Sequence, residues 1–186
     1  MNPIKNKKDL AETIDKIRDL AYTYIEKYSP SKQQLRIYLF KKFVKTEQKR
    51  TSKKEIFDLI DILIAALIDQ KLLNDKYYSD AKSKAFYRRG YSLNKIRYNL
   101  VKKGIDQKYI KASISKIKED ESDPDFFSAI KLCKRRRIGP NREESNRVLF
   151  YKKDISILAR SGFSYEISKK VLEIPKDEFL KFCKMI

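Results

Sequence analysis

The chain has 186 residues, of which 41% are hydrophobic and 37% are charged. This composition allows a buried core and excludes a charge-dominated disordered chain, and no window reaches the ~18 consecutive apolar residues of a membrane span. Basic residues outnumber acidic ones by 44 to 25, and the resulting net charge of +19 predicts an anionic partner such as nucleic acid, acidic lipid or an acidic protein surface.

Apolar residues recur at spacings of three and four along most of the chain, which is typical of helices. The charged N-terminal segment 1–9 lacks the apolar stretch of a signal peptide, so we expect a flexible terminus and a cytoplasmic protein. A first helix is predicted over 10–28, and Ser31 is expected to cap a second. The capping-box pattern Ser52–Glu55 predicts the start of a third helix.

Further helices are predicted in the second half of the chain, over 74–89, 92–103, 106–119 and 124–137, then up to about residue 160, over 164–172 and from Pro175 onward. Three of them are followed by glycines, Gly90, Gly104 and Gly162. These glycines stand where a helix end favours the left-handed conformation that glycine adopts at little cost.

The predicted elements repeat. Leu39, Leu100 and Leu158 each precede the turn into a third helix, at spacings of 61 and 58 residues. We therefore predict an all-α fold, an elongated tandem array of three three-helix repeats that resemble helix-turn-helix units. The predicted repeats span 10–71, 72–121 and 122–174, and a short C-terminal helix spans 175–186.

The residues offer little support for catalysis. The chain has no histidine, which removes the commonest general base and metal ligand. Its two cysteines, Cys133 and Cys183, fall at apolar positions of helical patterns, so we expect buried thiols rather than a disulfide framework or a metal site. A glycine-rich phosphate loop and a convergent carboxylate pair are also missing from the sequence. We therefore predict a protein that is not an enzyme and uses no cofactor, metal or small-molecule substrate.

Acidic residues are absent from three stretches, 27–46, 81–105 and 126–142, one in each predicted repeat, and these stretches hold 20 basic residues. Genome bias can enrich lysine, but it does not explain why acids are missing from matching positions. We predict one continuous basic surface that binds a polyanion. Its candidate binding residues are Lys32, Arg36, Lys41, Lys42, Arg88, Arg89, Lys95, Arg97, Lys102, Lys103, Lys134, Arg135, Arg136, Arg137 and Arg142. Three tyrosines interleave with them and are candidates for stacking on bases, Tyr87, Tyr91 and Tyr98.

Three strings of the second predicted repeat, Leu72–Phe86, Arg88–Ser92 and Lys95–Ile105, are similar to the central signature of the RecX family, bacterial regulators of the RecA recombinase. The similarity extends over residues 18 to 172. The resemblance implies a fold of tandem three-helix repeats and a monomer that binds the RecA filament on single- and double-stranded DNA. It also implies inhibition of ATP hydrolysis, strand exchange and co-protease activity, and hence control of homologous recombination, DNA repair and the SOS response.

Two other functions remain open at this point. The first is a stand-alone nucleic-acid-binding protein, either a helix-turn-helix regulator or a non-specific DNA binder, since α-helices joined around Gly104 have that shape. The second is a helical adaptor for an acidic protein, for which DNA affinity would be a by-product of charge.

Overall fold

The computed structural model describes residues 7–46 and 53–186, and the regular structure of this part of the chain is helical, as predicted. Its ten α-helices are α1 (Lys7–Tyr28), α2 (Lys32–Thr46), α3 (Lys53–Asp69), α4 (Asp75–Arg88), α5 (Leu93–Lys102), α6 (Gln107–Asp120), α7 (Pro124–Arg136), α8 (Glu144–Arg160), α9 (Tyr165–Leu172) and α10 (Lys176–Met185). A short 3-10 helix, Gly139–Asn141, lies between α7 and α8.

The predicted helix ends agree with these bounds to within a few residues. The predicted repeat boundaries at 71, 121 and 174 all fall between two helices, whereas the division into three repeats as such stays a prediction. Helix α1 begins at Lys7, inside the segment 1–9 that was predicted to be flexible; the rest of that segment, 1–6, and Ser52 of the predicted capping box lie outside the described residues.

The described residues form two compact units. The first consists of those up to Tyr78 together with Lys103–Ile105, and the second of 79–102 and 106–186. In the first unit, the apolar stripe of α1 packs with α2 and α3 around Ile17, Leu35 and Ile60, all at most 1% exposed. Burial of each such side chain stabilises the fold by roughly 1.5–3 kcal/mol.

The second unit has its main core around α7, α9 and α10, where Ile130, Leu132 and Phe179 are fully buried. Leu100, on helix α5 of this unit, likewise has no exposed surface. Both cysteines are free thiols. Cys133 is buried as predicted, and burial raises the pKa of its thiol, whereas Cys183 is only half-buried.

Serine caps set the start of the middle helices. The Ser31 hydroxyl accepts a hydrogen bond from the Gln34 backbone N–H at 3.2 Å, and the Gln34 side chain accepts one from the Ser31 N–H in return. This reciprocal arrangement satisfies two backbone groups that a helix start leaves without partners, and it confirms Ser31 as a cap. Ser92 also caps α5, with a single hydrogen bond that its hydroxyl accepts from the Lys95 N–H at 3.1 Å.

Each of these two serines also donates a hydrogen bond to a carbonyl just after the end of a later helix. In the first unit, the Ser31 hydroxyl donates to the carbonyl of Lys103 at 2.7 Å. In the second, the Ser92 N–H donates to the carbonyl of Ser161 at 3.2 Å. Lys103 and Ser161 each precede a glycine of positive φ. The donor is a side-chain hydroxyl in the first contact and a backbone N–H in the second, so only the contact of Ser31 depends on the serine side chain.

Candidate nucleic-acid interface

The candidate residues on α2 of the first unit are three exposed lysines and one arginine that forms a salt bridge. Lys32, Lys41 and Lys42 are exposed along α2. In contrast, the Arg36 guanidinium makes a bidentate ion pair with Asp61 at 2.6 and 2.7 Å, which raises the pKa of Arg36 and lowers that of Asp61. Arg36 therefore joins α2 to α3, and the lysines are the groups of this unit that face solvent.

Lys103, which belongs to the first unit, is half-buried rather than exposed. Lys102, the adjacent candidate residue, is exposed. The backbone explains the difference: α5 ends at Lys102, and the carbonyl of Lys103 is held by Ser31. Of this pair, Lys102 is the exposed cation.

The second unit presents its candidate residues on α4 and α5. Arg88 and Arg89, at the C-terminal end of α4, are exposed, as is Arg97 on α5, whose guanidinium donates to the side chain of Asn94 at 3.0 Å. Lys95 is half-buried along its stem. Because α5 carries no acidic residue, its outer face has a purely cationic character.

The three candidate tyrosines have different surroundings. Tyr87 is half-buried under Lys131, whose Nζ lies 4.0 Å from the ring centroid; its hydroxyl is buried, and this burial raises the pKa of the group. Tyr91 is half-buried against Phe86, with ring centroids 5.6 Å apart. Only Tyr98 has most of its ring in solvent, at 52% exposure. Of the three tyrosines, it is the one positioned to contact a partner.

The third group of candidate residues lies at the end of α7, where Lys134, Arg135, Arg136 and Arg137 are all exposed. The Lys134 ammonium donates to the carbonyl of Cys183 at 2.8 Å, so it is partly committed to the C-terminal helix. Arg137 ends α7 in the left-handed conformation with φ of +53°. Arg135 and Arg136 are the members of this group with side chains facing solvent on the helix itself.

Arg142 has a structural environment. Its guanidinium donates to both oxygens of Asp154 at 2.8 Å, and the Gly139 N–H donates to the same carboxylate at 2.8 Å. The Asp154 side chain is 1% exposed, and burial of a carboxylate is costly unless such donors satisfy its oxygens. Arg142 thus fixes the turn between α7 and α8, a role that its position in an acid-free stretch does not reveal.

Aspartates already occupy the starts of two helices that could otherwise attract phosphate. The first backbone N–H of α2, from Lys32, donates to Asp75 at 2.9 Å, and that of α5, from Leu93, donates to Asp125 at 2.8 Å. Burial raises the pKa of Asp125, and the hydrogen bond from Leu93 opposes that rise. Since these helix N-termini have their own anions, a polyanion would meet the side chains on the helix flanks.

An apolar surface on α8 was missed by the sequence analysis. Val148 and Leu149 are 87% and 75% exposed, and Val148 lines an open groove of about 620 Å³ together with Tyr151 and Leu172. Leu149 lies off the stripe formed by Ile155 and Leu158, whereas Val148, seven residues before Ile155, lies on it, so apolar spacing alone predicts a burial for Val148 that the structure does not have. Its neighbours in the groove, which include Glu144 and Arg147, carry both signs of charge, unlike the outer face of α5.

The described ranges contain no group of three or more acidic or cysteine side chains that could hold a metal ion. In the same ranges, no helix is both long and apolar enough to cross a bilayer.

Three proteins named regulatory protein RecX are similar to this chain. The one from Myxococcus xanthus (strain DK1622) is 28% identical over 163 residues, which cover 84% of each chain. The one from Clostridium perfringens (strain SM101 / Type A) is 26% identical over 75% of this chain and 66% of its own length. The third, from Clostridioides difficile (strain 630), is 33% identical over 79 residues, or 42% of this chain and 35% of its own.

Searches with protein-family models and against solved structures returned no match. The relatives nevertheless agree with one another in name, and the similarity to the first of them extends over most of both chains. The family that they name is also the one that the strings of the second predicted repeat resemble. By sequence the chain is therefore similar to the regulatory proteins named RecX, over 84% of its length in the first case.

Proposed function

We propose that this protein regulates homologous recombination and DNA repair by binding RecA filaments on DNA and inhibiting their ATPase, strand-exchange and co-protease activities. The similarity to proteins named regulatory protein RecX supports the partner. The structural observation that carries the proposal is the set of cationic side chains on α2, α4, α5 and α7, helices that contain long acid-free stretches. A filament on DNA is a polyanion, and such side chains bind it without reading its sequence.

Both units contribute to this binding. Lys32 and Lys41 belong to the first unit, and Arg88, Arg97 and Lys102 belong to the second. Each contact with a phosphate is weak, but contacts linked by one chain multiply in effect because the second forms within the same molecule. We expect Arg36 and Arg142 to contribute least to this binding, because their guanidinium groups form salt bridges with carboxylates of the protein itself.

The central experiment adds the purified protein to RecA from the same cell on single-stranded DNA and follows ATP hydrolysis. Inhibition is expected, and its stoichiometry separates two modes: inhibition far below one protein per RecA indicates capping of filament ends, whereas inhibition near equimolar protein indicates binding along the groove. An unchanged rate of hydrolysis at equimolar protein would contradict the proposal.

A matched pair of charge reversals tests the surface. Lys102→Glu changes an exposed lysine of α5, and Lys111→Glu makes the same change at an exposed lysine of α6, outside the acid-free stretches. We expect the first to weaken both DNA binding and RecA inhibition, and to lower the slope of log affinity against log salt by about 0.7–0.9. Equal effects of the two reversals would mean that net charge, rather than this surface, drives binding.

A second candidate is a stand-alone nucleic-acid-binding protein. The observation in its favour is the α5–turn–α6 pair, joined through Gly104 at a φ of +72°, because DNA-binding helix-turn-helix motifs have this form. Footprinting on duplex DNA separates the two functions. A preferred sequence would favour the second candidate, and sequence-independent binding would count against a regulator of that type. An adaptor for an acidic protein would instead keep its partner after nuclease treatment.

A further inference from the structure

Helix α5 presents one aromatic ring between two cations on its solvent face. Tyr98 is 52% exposed, and the Nζ atoms of Lys95 and Lys102 lie 5.4 and 5.1 Å from its ring centroid. These residues stand three before and four after the tyrosine, which are the helical spacings that place side chains on the same face. The opposite face of α5 is buried through Ile96 and Leu100, so the ring contributes little to the core.

Several other aromatic side chains of the second unit have an evident structural role, and Tyr98 does not. Phe126 and Phe182 pack edge to face at 5.2 Å, and Tyr91 stacks on Phe86. Within the part of the chain that the structure describes, Tyr98 has the two lysines as its ring contacts and no aromatic neighbour. The exposed ring is thus available to a ligand with a flat, electron-rich surface and negative charges nearby.

We infer that Tyr98 is a stacking site for an unpaired base of single-stranded DNA, and that Lys95 and Lys102 bind the phosphates on either side of that base. An aromatic side chain can stack on any base, because every base has a π-face. In a duplex the base faces are covered by their neighbours, so the site requires an unpaired or extruded base. The lysine ammonium groups, now near the ring, would turn outward to the backbone phosphates, since lysine is a flexible point charge.

The Lys95 stem is held in place by its surroundings. A Cβ atom built on Gly162 would lie only 2.9 Å from the Cβ of Lys95, so this part of the lysine packs closely against the end of α8. Its stem is half-buried while its ammonium group reaches the Tyr98 ring. A lysine anchored in this way loses less conformational freedom on binding a phosphate than a fully exposed one.

This inference deepens the proposed function, on which it rests, by adding a preference for single strands to a charged surface that alone would bind any DNA. The stacking and charge contributions can be measured separately. Tyr98→Ala should lower affinity for oligo(dT) about 5- to 150-fold and leave the salt slope unchanged. Lys102→Gln should lower that slope by about 0.7. Tyr98→Phe keeps the ring and should bind like the wild type, which excludes a role for the hydroxyl.

The absence of tryptophan from the sequence permits a direct readout. Tyr98→Trp introduces a single indole, whose fluorescence should be quenched by oligo(dT) and far less by a duplex of equal length. Tyr165→Trp is the matched control, because Tyr165 is 64% exposed on α9 of the same unit and should not be quenched. Circular dichroism establishes that each variant is folded.

Three results would overturn the inference: wild-type affinity of Tyr98→Ala for oligo(dT), equal quenching of the two tryptophan variants, or equal quenching by single strand and duplex. The proposed function fails by a different result. If the wild type leaves RecA ATPase unchanged but Tyr98→Trp is quenched selectively, the stacking site stands and the RecA partner does not. If the wild type inhibits RecA and Tyr98→Ala binds oligo(dT) normally, the RecA partner stands and the stacking site does not.

Discussion

Removal of Arg142 tests the distinction between a cation that binds DNA and one that holds the fold. The sequence pattern assigned Arg142 to the binding surface, whereas its guanidinium makes two hydrogen bonds of 2.8 Å to the Asp154 carboxylate. Arg142→Ala would leave that carboxylate, 1% exposed, with the Gly139 N–H as its remaining hydrogen-bond donor. We therefore expect the variant to lose stability before it loses affinity.

The expected loss follows from the burial of the pair. Truncation of one partner of a buried ion pair costs about 3–5 kcal/mol, because the other charge is left without compensation. The Arg142 side chain retains 20% of its exposure, so water can partly replace it and the lower end, about 3 kcal/mol, applies. For a protein of this length each kcal/mol lowers Tm by about 2–4 °C, which gives a decrease of about 6–12 °C.

Thermal unfolding followed by far-ultraviolet circular dichroism measures this change. Arg136→Ala is the control, since it removes an exposed arginine from the end of α7 and should leave Tm almost unchanged. Arg142→Ala combined with Asp154→Ala should cost less than the sum of the single changes, because the double variant no longer buries an unpaired charge. A wild-type Tm for Arg142→Ala, together with a selective loss of DNA affinity, would refute the reasoning and restore Arg142 to the interface.

Three further outcomes are expected. The Arg36 guanidinium lowers the pKa of Asp61 below 3.8, so the stabilisation by this carboxylate is complete above that value and disappears as pH falls through the lowered pKa. The difference in Tm between Asp61→Asn and the wild type should therefore become smaller at strongly acidic pH. A difference that grows as pH falls would contradict this expectation. Leu100→Ala should lower the free energy of unfolding in denaturant by about 2–5 kcal/mol, since Leu100 is fully buried; a negligible cost would remove it from the core. Gly162→Ala should cost at least about 1 kcal/mol because φ is +89° and the new Cβ would crowd Lys95; an unchanged denaturant midpoint would contradict the strain.

Helix positions could be predicted from the sequence because their signals are local. A glycine such as Gly104, with φ of +72°, and a serine such as Ser31, which bonds a backbone group three residues later, act within one turn of their own positions. Apolar spacing then predicts which side of each helix is buried, and Leu39 and Leu100 have no exposed surface. Such signals need no knowledge of which helix packs against which.

Whether each basic side chain is exposed or bonded to another group could not be predicted in the same way, because this depends on residues distant in sequence. Arg36 meets Asp61 across 25 residues, and the Lys134 ammonium meets the carbonyl of Cys183 across 49. A count of charges in an acid-free stretch gives Arg36 and its exposed neighbour Lys32 equal weight. Tertiary packing distinguishes the two residues, because the Arg36 guanidinium forms an ion pair with Asp61 whereas Lys32 is exposed.

The aromatic ring of Tyr98 occurs in one predicted repeat, whereas a nearby cation occurs in all three. Counted from the matching leucines Leu39, Leu100 and Leu158, the equivalent residues are Ile37, Tyr98 and Ser156, whereas the residue two after each leucine is Lys41, Lys102 or Arg160. The cation thus recurs in all three predicted repeats, and the aromatic ring occurs once. Recurring cations suit an electrostatic contact with any phosphate backbone, and a single ring suits one unpaired base. Loss of Tyr98 should therefore reduce the preference for single strands while leaving affinity for duplex DNA intact, whereas loss of Lys102 should weaken binding to both.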